Sequence, residues 1–224
     1  MMRKKRGYQR DTPKKLLRDY KLFAIACEGG KREPAYFRYF ENMSPKIKVD
    51  IIQDSVSEQE LLSKYETKSS PNWVLDRAIK YIEKEDLKDE DELWFVIDTD
   101  NWEEEQIRKI ANYCEDYSNW HIVLSNPCFE VWLYFHKKTQ IPNASTINCK
   151  QLKSAVSTLE KGGYAPLVFL PDLLNAIDNS EKIDSDKNYF LPKNGETKVY
   201  QLGKALMSVI GISSFEEFVK KILK

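Results

Sequence analysis

Apolar positions fall in short runs along this chain, separated by stretches that repeat at helical spacing. Lys21 to Cys27 (KLFAIAC) reads as an apolar strand, closed at once by Glu28-Gly29-Gly30. Pro34 opens a helix, because proline fits a first turn whose N–H has no partner anyway. Tyr36, Phe37, Tyr39 and Phe40 give that helix an aromatic face for the core. Ile47 to Ile52 (IKVDII) alternates and reads as a second strand. Residues 53–70 are polar, with room for one helical turn around Glu58–Tyr65. Ser70-Pro71 then starts a helix, serine as cap and proline in the first position. Trp73, Val74, Ala78, Tyr81 and Ile82 continue it.

Leu93 to Ile97 (LWFVI) is a β-branched and aromatic run, too short for a core helix and suited to a strand buried on both faces. A helix follows from Asn101 to about Tyr117, with Glu103, Glu104 and Glu105 in its first turn as the helix dipole favours. His121 to Ser125 is a fourth strand, and Asn126-Pro127 starts a helix that runs through His136. Strand and helix alternate from 21 to 136, which predicts an α/β fold with a mainly parallel, doubly wound sheet. The remainder is helical: 147–161 ending at Gly162-Gly163, 171–178, Thr197 to Val209, and a last helix capped by Ser213 or Ser214 with Glu216 or Glu217. A polar loop, 179–196, carries Lys187 and Lys193. Three segments result: a basic arm (1–20), an α/β core (21–136) and a C-terminal helical extension packed on it (137–224).

With 224 residues, 42% hydrophobic and 12% aromatic, wholesale disorder is excluded. No apolar run approaches membrane-spanning length and the start is basic and polar, so a cytoplasmic protein without a membrane partner is expected. Cys27, Cys114, Cys128 and Cys149 lack paired CxxC spacing, and two histidines are few to assist them. That argues against structural zinc and for reduced, partly buried thiols. The formal net charge of zero hides a polarity: residues 3–21 carry nine Lys or Arg against two Asp, and residues 83–105 twelve acids against two lysines. The basic arm either contacts nucleic acid or is a solvated tail.

The candidate chemistry sits at strand ends. Asp98 and Asp100 close the central strand, where open α/β sheets bind ligands and where two carboxylates are costly unless a cation joins them. They read either as metal ligands or as a polar residue and a helix cap. Glu28 ends the first strand, before Gly29, Gly30 and Lys31, where glycines permit close approach of a phosphate. If the two strands are neighbours, three carboxylates share one edge, an oxygen-only set suited to Mg²⁺ or Mn²⁺. Glu130 either points back to that edge, as a second-metal ligand or orienting base, or matches a helix dipole. Ser125 and Asn126 cap its helix and leave N–H groups for a phosphate. Lys198 either neutralises a phosphate or is an exposed lysine, and His136 reads as a hydrogen-bonded structural residue.

Glu28 with the later Asp98-Thr-Asp100 resembles the metal-holding pattern of TOPRIM domains. Glu28-Gly-Gly-Lys-Arg-Glu-Pro-Ala-Tyr-Phe37, Ile97-Asp-Thr-Asp-Asn101, Ser125-Asn-Pro-Cys-Phe-Glu-Val-Trp-Leu133 with His136, and Thr197-Lys-Val-Tyr200 together resemble the RloB family over about residues 20–210. Arg32 stands where a small residue or threonine is expected before Glu33, a difference that bears on a helix start rather than on the acidic triad. The resemblance implies a TOPRIM-like fold and a Mg²⁺-dependent nuclease in bacterial anti-phage defence, including abortive infection. Nucleic acid and an AAA- or ABC-type ATPase are the implied partners. Two other classes stay open: a non-catalytic metal- or nucleotide-binding regulatory subunit, and a metal-dependent phosphotransferase or phosphatase on a small molecule.

Overall fold

A computed structural model describes residues 18–52, 70–85, 87–100 and 102–223. Most of the basic arm, the polar stretch with its Glu58–Tyr65 turn, and Asn101 lie outside the described residues. The four expected strands form one sheet: β1 (Lys21–Cys27), β2 (Ile47–Ile52), β3 (Glu92–Asp98) and β4 (Trp120–Ser125). They are parallel throughout, in the order β2-β1-β3-β4.

Alternation along the strands divides the core in two. Ala24, Ala26, Leu93, Phe95 and Ile97 face α2 (Pro71–Lys84) and α3 (Glu104–Glu115), which contribute Val74, Ala78, Ile107 and Ile110. Phe23, Ile25, Val49, Trp94 and Val96 face the other way, toward α1 (Arg32–Phe37) and α4 (Glu130–Lys137). Because the side-chain period is two, one strand serves both layers, which is why the central strands are apolar throughout between their end residues. Helices on both faces make this an α/β fold.

Helix α4 is buried all round, from Glu130 to His136. One side lies on the sheet; the other is covered by the C-terminal helices α5 (Cys149–Thr158) and α7 (Leu173–Ile183), with α8 (Val199–Ile210) packed on α7 and α9 (Ile212–Ile222) on α8. A short turn, α6 (Pro166–Phe169), and a 3₁₀ turn over Leu170–Asp172 precede α7. Leu152, Val156, Leu173, Ala176, Leu202 and Leu206 join the same hydrophobic cluster as the sheet face. Asn148 caps α5 by accepting from the Gln151 N–H at 3.0 Å, while the Gln151 side chain accepts from the Asn148 N–H.

Several boundaries differ from the sequence reading. Helix α1 begins at Arg32, two residues before Pro34, and continues as a 3₁₀ turn over Arg38–Asn42. Helix α3 begins at Glu104, with Glu103 and Gln106 forming the capping box. Helix α7 runs to Ile183, and α9 starts directly after Gly211, whose φ of +78° ends α8, so no serine box is made. Helix α4 starts at Glu130 rather than at Asn126-Pro127 because that stretch has other partners. Ser125 Oγ meets Thr197 Oγ1 at 2.8 Å; Asn126 donates its N–H to the Glu196 carbonyl and accepts from the Gly195 N–H. Cys128 and Cys149 are joined as a disulfide, correcting the expectation of four reduced thiols; Cys27 and Cys114 are free and buried.

The C-terminal segment is tied to β4 through Lys198. Its N–H donates to the Leu124 carbonyl at 2.7 Å, and its ammonium is buried against Asp184 at 2.6 and 2.7 Å. The Tyr200 hydroxyl donates to the same carboxylate at 2.7 Å. Removing one partner of such a pair strands the other charge, which costs about 3–5 kcal/mol. Asp184→Ala should therefore lose about that much in urea unfolding, and adding Lys198→Met should recover most of it. A single variant as stable as the parent would show that the pair is dispensable.

Candidate metal centre

The chain leaves β1 for β2 on one side and returns to β3 on the other, so the strand order reverses between β1 and β3. A crevice opens at the carboxyl ends of strands at such a point. Glu28 sits there: its N–H extends the ladder to the Val96 carbonyl at 3.0 Å. Its carboxylate crosses to β3, where Oε2 accepts from the Asp98 N–H at 2.9 Å and Oε1 from the Trp102 indole N–H at 2.8 Å. Each oxygen keeps a lone pair for a further ligand. The turn after β4 holds the adjoining loop, since the Pro127 carbonyl accepts from the N–H groups of Thr99 and Asp100 at 3.1 Å each.

The electrostatics of this edge are those of crowded acids. Burial, then Glu33, Glu28, Glu130 and Asp100, push the Asp98 carboxyl well above the usual carboxylate range. Burial raises Glu28 to about 7 against the two hydrogen bonds it accepts, with Asp100 and Glu33 adding to the rise. Asp100 is exposed and also raised, by desolvation and Glu130, and is eased by Lys153. No lysine or arginine forms an ion pair with Glu28 or Asp98 among the described residues.

Glu33, which the sequence reading did not single out as a site residue, belongs to this cluster. Its side chain is buried, and a Cβ on Gly29 would fall on its carboxylate. Gly29 thus admits a protein carboxylate, whereas Gly30 borders open space and Lys31 is exposed beside it. Burial and Glu130 raise the Glu33 carboxyl, and Arg32 and Lys153 lower it. Arg32 ion-pairs with Glu130, which is buried in the first turn of α4. Lys153, exposed on α5, is the basic group felt by both Asp100 and Glu33. Nothing local in the sequence marks it, because α5 reaches the edge only through tertiary packing. Glu33 had a signal, its place five residues after Glu28 in the strand-end phrase.

The phosphate-binding expectations fare unevenly. Ser125 bonds Thr197, and the Asn126 side chain donates to the Pro192 carbonyl at 2.9 Å. Lys198 is held inward by Asp184, so its charge is not offered to the edge. His136 is buried, with Tyr36 Oη 2.8 Å from Nε2 and the Trp132 carbonyl 3.0 Å from Nδ1, and its pKa is lowered to about 4, chiefly by burial. It is a neutral structural imidazole.

Among the described residues, the set of three candidate ligands whose donor atoms lie within 4.8 Å of one another is Cys128, Glu130 and Cys149. Glu28, Asp98 and Asp100 do not form such a closed cage. Their donors are all oxygens, the chemistry of a hard cation, but bonds of about 2.1 Å hold ligands of one such ion within about 4.2 Å of one another, closer than these three stand.

The raised Glu28 pKa has a measurable sign. Between its ordinary 4.5 and about 7 the folded chain holds a proton that the unfolded chain has released. Stability from this group is therefore full at acid pH and is lost as pH rises through about 7. Without divalent cations, Glu28→Gln should flatten that fall in urea unfolding across the interval, apart from a constant offset for the lost acceptor. A slope equal to the parent's would remove Glu28 as its source.

No curated protein and no solved structure matches the chain. No helix among the described residues is long and apolar enough to cross a membrane. The family model described as RloB-like protein matches residues 23–206. With that match over most of its length, the chain belongs to the RloB-like family.

Proposed function

We propose that the chain is a divalent-cation-dependent phosphodiesterase acting on nucleic acid, with Glu28, Asp98 and Asp100 as ligands for Mg²⁺ or Mn²⁺. The observation that carries this reading is Asp98, which faces four other carboxylates and has no basic ion-pair partner among the described residues. Ionised acids gather in this way at low cost only when a cation is shared among them. A bound ion of this kind activates water and stabilises a leaving oxygen.

The protein's own groups divide the remaining work. Glu28, locked by two donors, fixes the position of the shared edge. Asp100 is exposed and meets the substrate side, and Lys153 stands by it to receive a phosphate oxygen. Gly30 leaves room for the backbone of a nucleic acid. In this reading, which the resemblance to RloB proteins supports, the activity serves anti-phage defence in the cytoplasm, beside an AAA- or ABC-type ATPase. One observation favours a non-catalytic metal- or nucleotide-binding subunit instead: both Glu28 oxygens already accept hydrogen bonds from the protein.

Asp98→Asn separates the two. It keeps size and hydrogen bonding but removes one charge. Cleavage of mixed DNA and RNA substrates with Mg²⁺ or Mn²⁺, assayed with and without the ATPase, should fall by orders of magnitude. Unfolding stability without metal should hold or rise. Mg²⁺ should raise the melting temperature of the parent far more than that of the variant. Undiminished cleavage or phage protection by Asp98→Asn would transfer the assignment to the regulatory reading.

A further inference from the structure

Beside the acidic edge lies a ligand group of a different chemical type. Cys128 in the turn before α4, Glu130 in its first turn and Cys149 at the start of α5 bring two sulfurs and a carboxylate oxygen within 4.8 Å of one another. Cys128 and Glu130 are buried, and Cys149 is partly so. The donors come from segments 21 residues apart, so no short motif announces them.

The carboxylate carries the argument. One Glu130 oxygen is ion-paired to Arg32; the other, Oε2, has the Cys149 sulfur beside it at 3.8 Å and no other partner among the described residues. A disulfide sulfur has no proton to donate. With the disulfide closed, a buried carboxylate oxygen is left without a donor, a condition folded proteins rarely tolerate. A single thiol relieves it weakly, because S–H is a poor donor. A cation shared with two thiolates relieves it fully.

We propose that the reduced Cys128 and Cys149, together with Glu130 Oε2, form a binding site for a thiophilic divalent cation of the zinc class. Reduction by a dithiol transfers two electrons and two protons to the sulfur pair, and the dithiol becomes the disulfide. The cation then replaces both protons, which pass to solvent. Two sulfurs and one oxygen are a donor set that selects Zn²⁺ over Mg²⁺. Tetrahedral bonds of about 2.3 Å to sulfur and about 2.0 Å to oxygen separate those donors by about 3.5 Å. The present contact is 3.8 Å. The sulfurs must part from bonded contact while their Cα atoms start 5.7 Å apart. Three protein donors leave a fourth position for water. The site does not rest on the nuclease reading, although it shares Glu130, one of the carboxylates that Asp98 faces. Its consequence for the acidic edge is mechanical, since the ion would pin α5, and Lys153 with it, to the first turn of α4.

The test uses the full chain, reduced with a phosphine and kept anaerobic, with Co²⁺ and Zn²⁺ as probes. Co²⁺ should bind one per chain with a thiolate-to-metal charge-transfer band and the visible bands of tetrahedral cobalt. Zn²⁺ should bleach both, and excess Mg²⁺ should leave them unchanged. Bound Zn²⁺ should shield both thiols from alkylation in the parent chain, a readout that needs no variant even though Cys128 is fully buried. Cys149→Ser should lose the shielding of Cys128, and Glu130→Gln should weaken Zn²⁺ binding by at least the tenfold or so typical of lost supporting partners. Absence of a thiolate band, displacement by Mg²⁺, or shielding that ignores Glu130→Gln would each overturn the proposal. Since none of these readouts involves cleavage, failure here and failure of the nuclease reading are told apart.

Discussion

Where two parallel strands end together, a protein has few ways to finish the ladder, and here a carboxylate does it. Glu28 leaves β1, crosses to β3 and takes the N–H of Asp98, so the last rung of the sheet is made by a side chain. That contact exists only because β1 and β3 are neighbours in register, with Cys27 opposite Val96. The placement of the acidic loop, and the turn after β4 that holds it through the Pro127 carbonyl, follow from that register.

Holding acids so close demands rigidity from the surroundings, and the rigidity comes from α4. A helix buried on every side cannot shift without disturbing both the sheet and the C-terminal helices. Its first turn therefore delivers Glu130 and the adjoining Cys128 to fixed places. Arg32 then offsets part of the negative charge from α1, and Lys153 part of it from α5. The same side chains thus stabilise the fold and set the electrostatic character of the edge.

The strands were legible in the sequence because burial on both faces writes itself as continuous apolar runs, and LWFVI admits few alternatives. The meeting of Glu28 with Asp98 was legible only on the condition that their strands are neighbours, a condition the β1–β3 pairing meets. What stayed hidden depends on partners distant in sequence. Ser125 and Asn126 look like a helix cap until Thr197, Gly195 and Glu196 occupy them. Lys198 looks like an exposed first-turn lysine, yet Asp184 fourteen residues earlier buries it. Glu33 was not singled out, because only the fold of the turn after β1 carries its carboxylate back to the edge. Cys128 and Cys149 share no motif spacing, so only the packing of α4 on α5 brings them together.

The antiparallel bridge between Ser125 and Thr197 has a consequence beyond positioning. β4 is an outer strand, and outer strands offer unpaired backbone groups to any passing chain. By laying the segment before α8 against the last residue of β4, the extension closes that border at the end nearest the acidic loop. The C-terminal third is thus a selvedge woven onto the sheet, and a shortened chain lacking it would expose a sticky margin rather than a smaller, self-sufficient core.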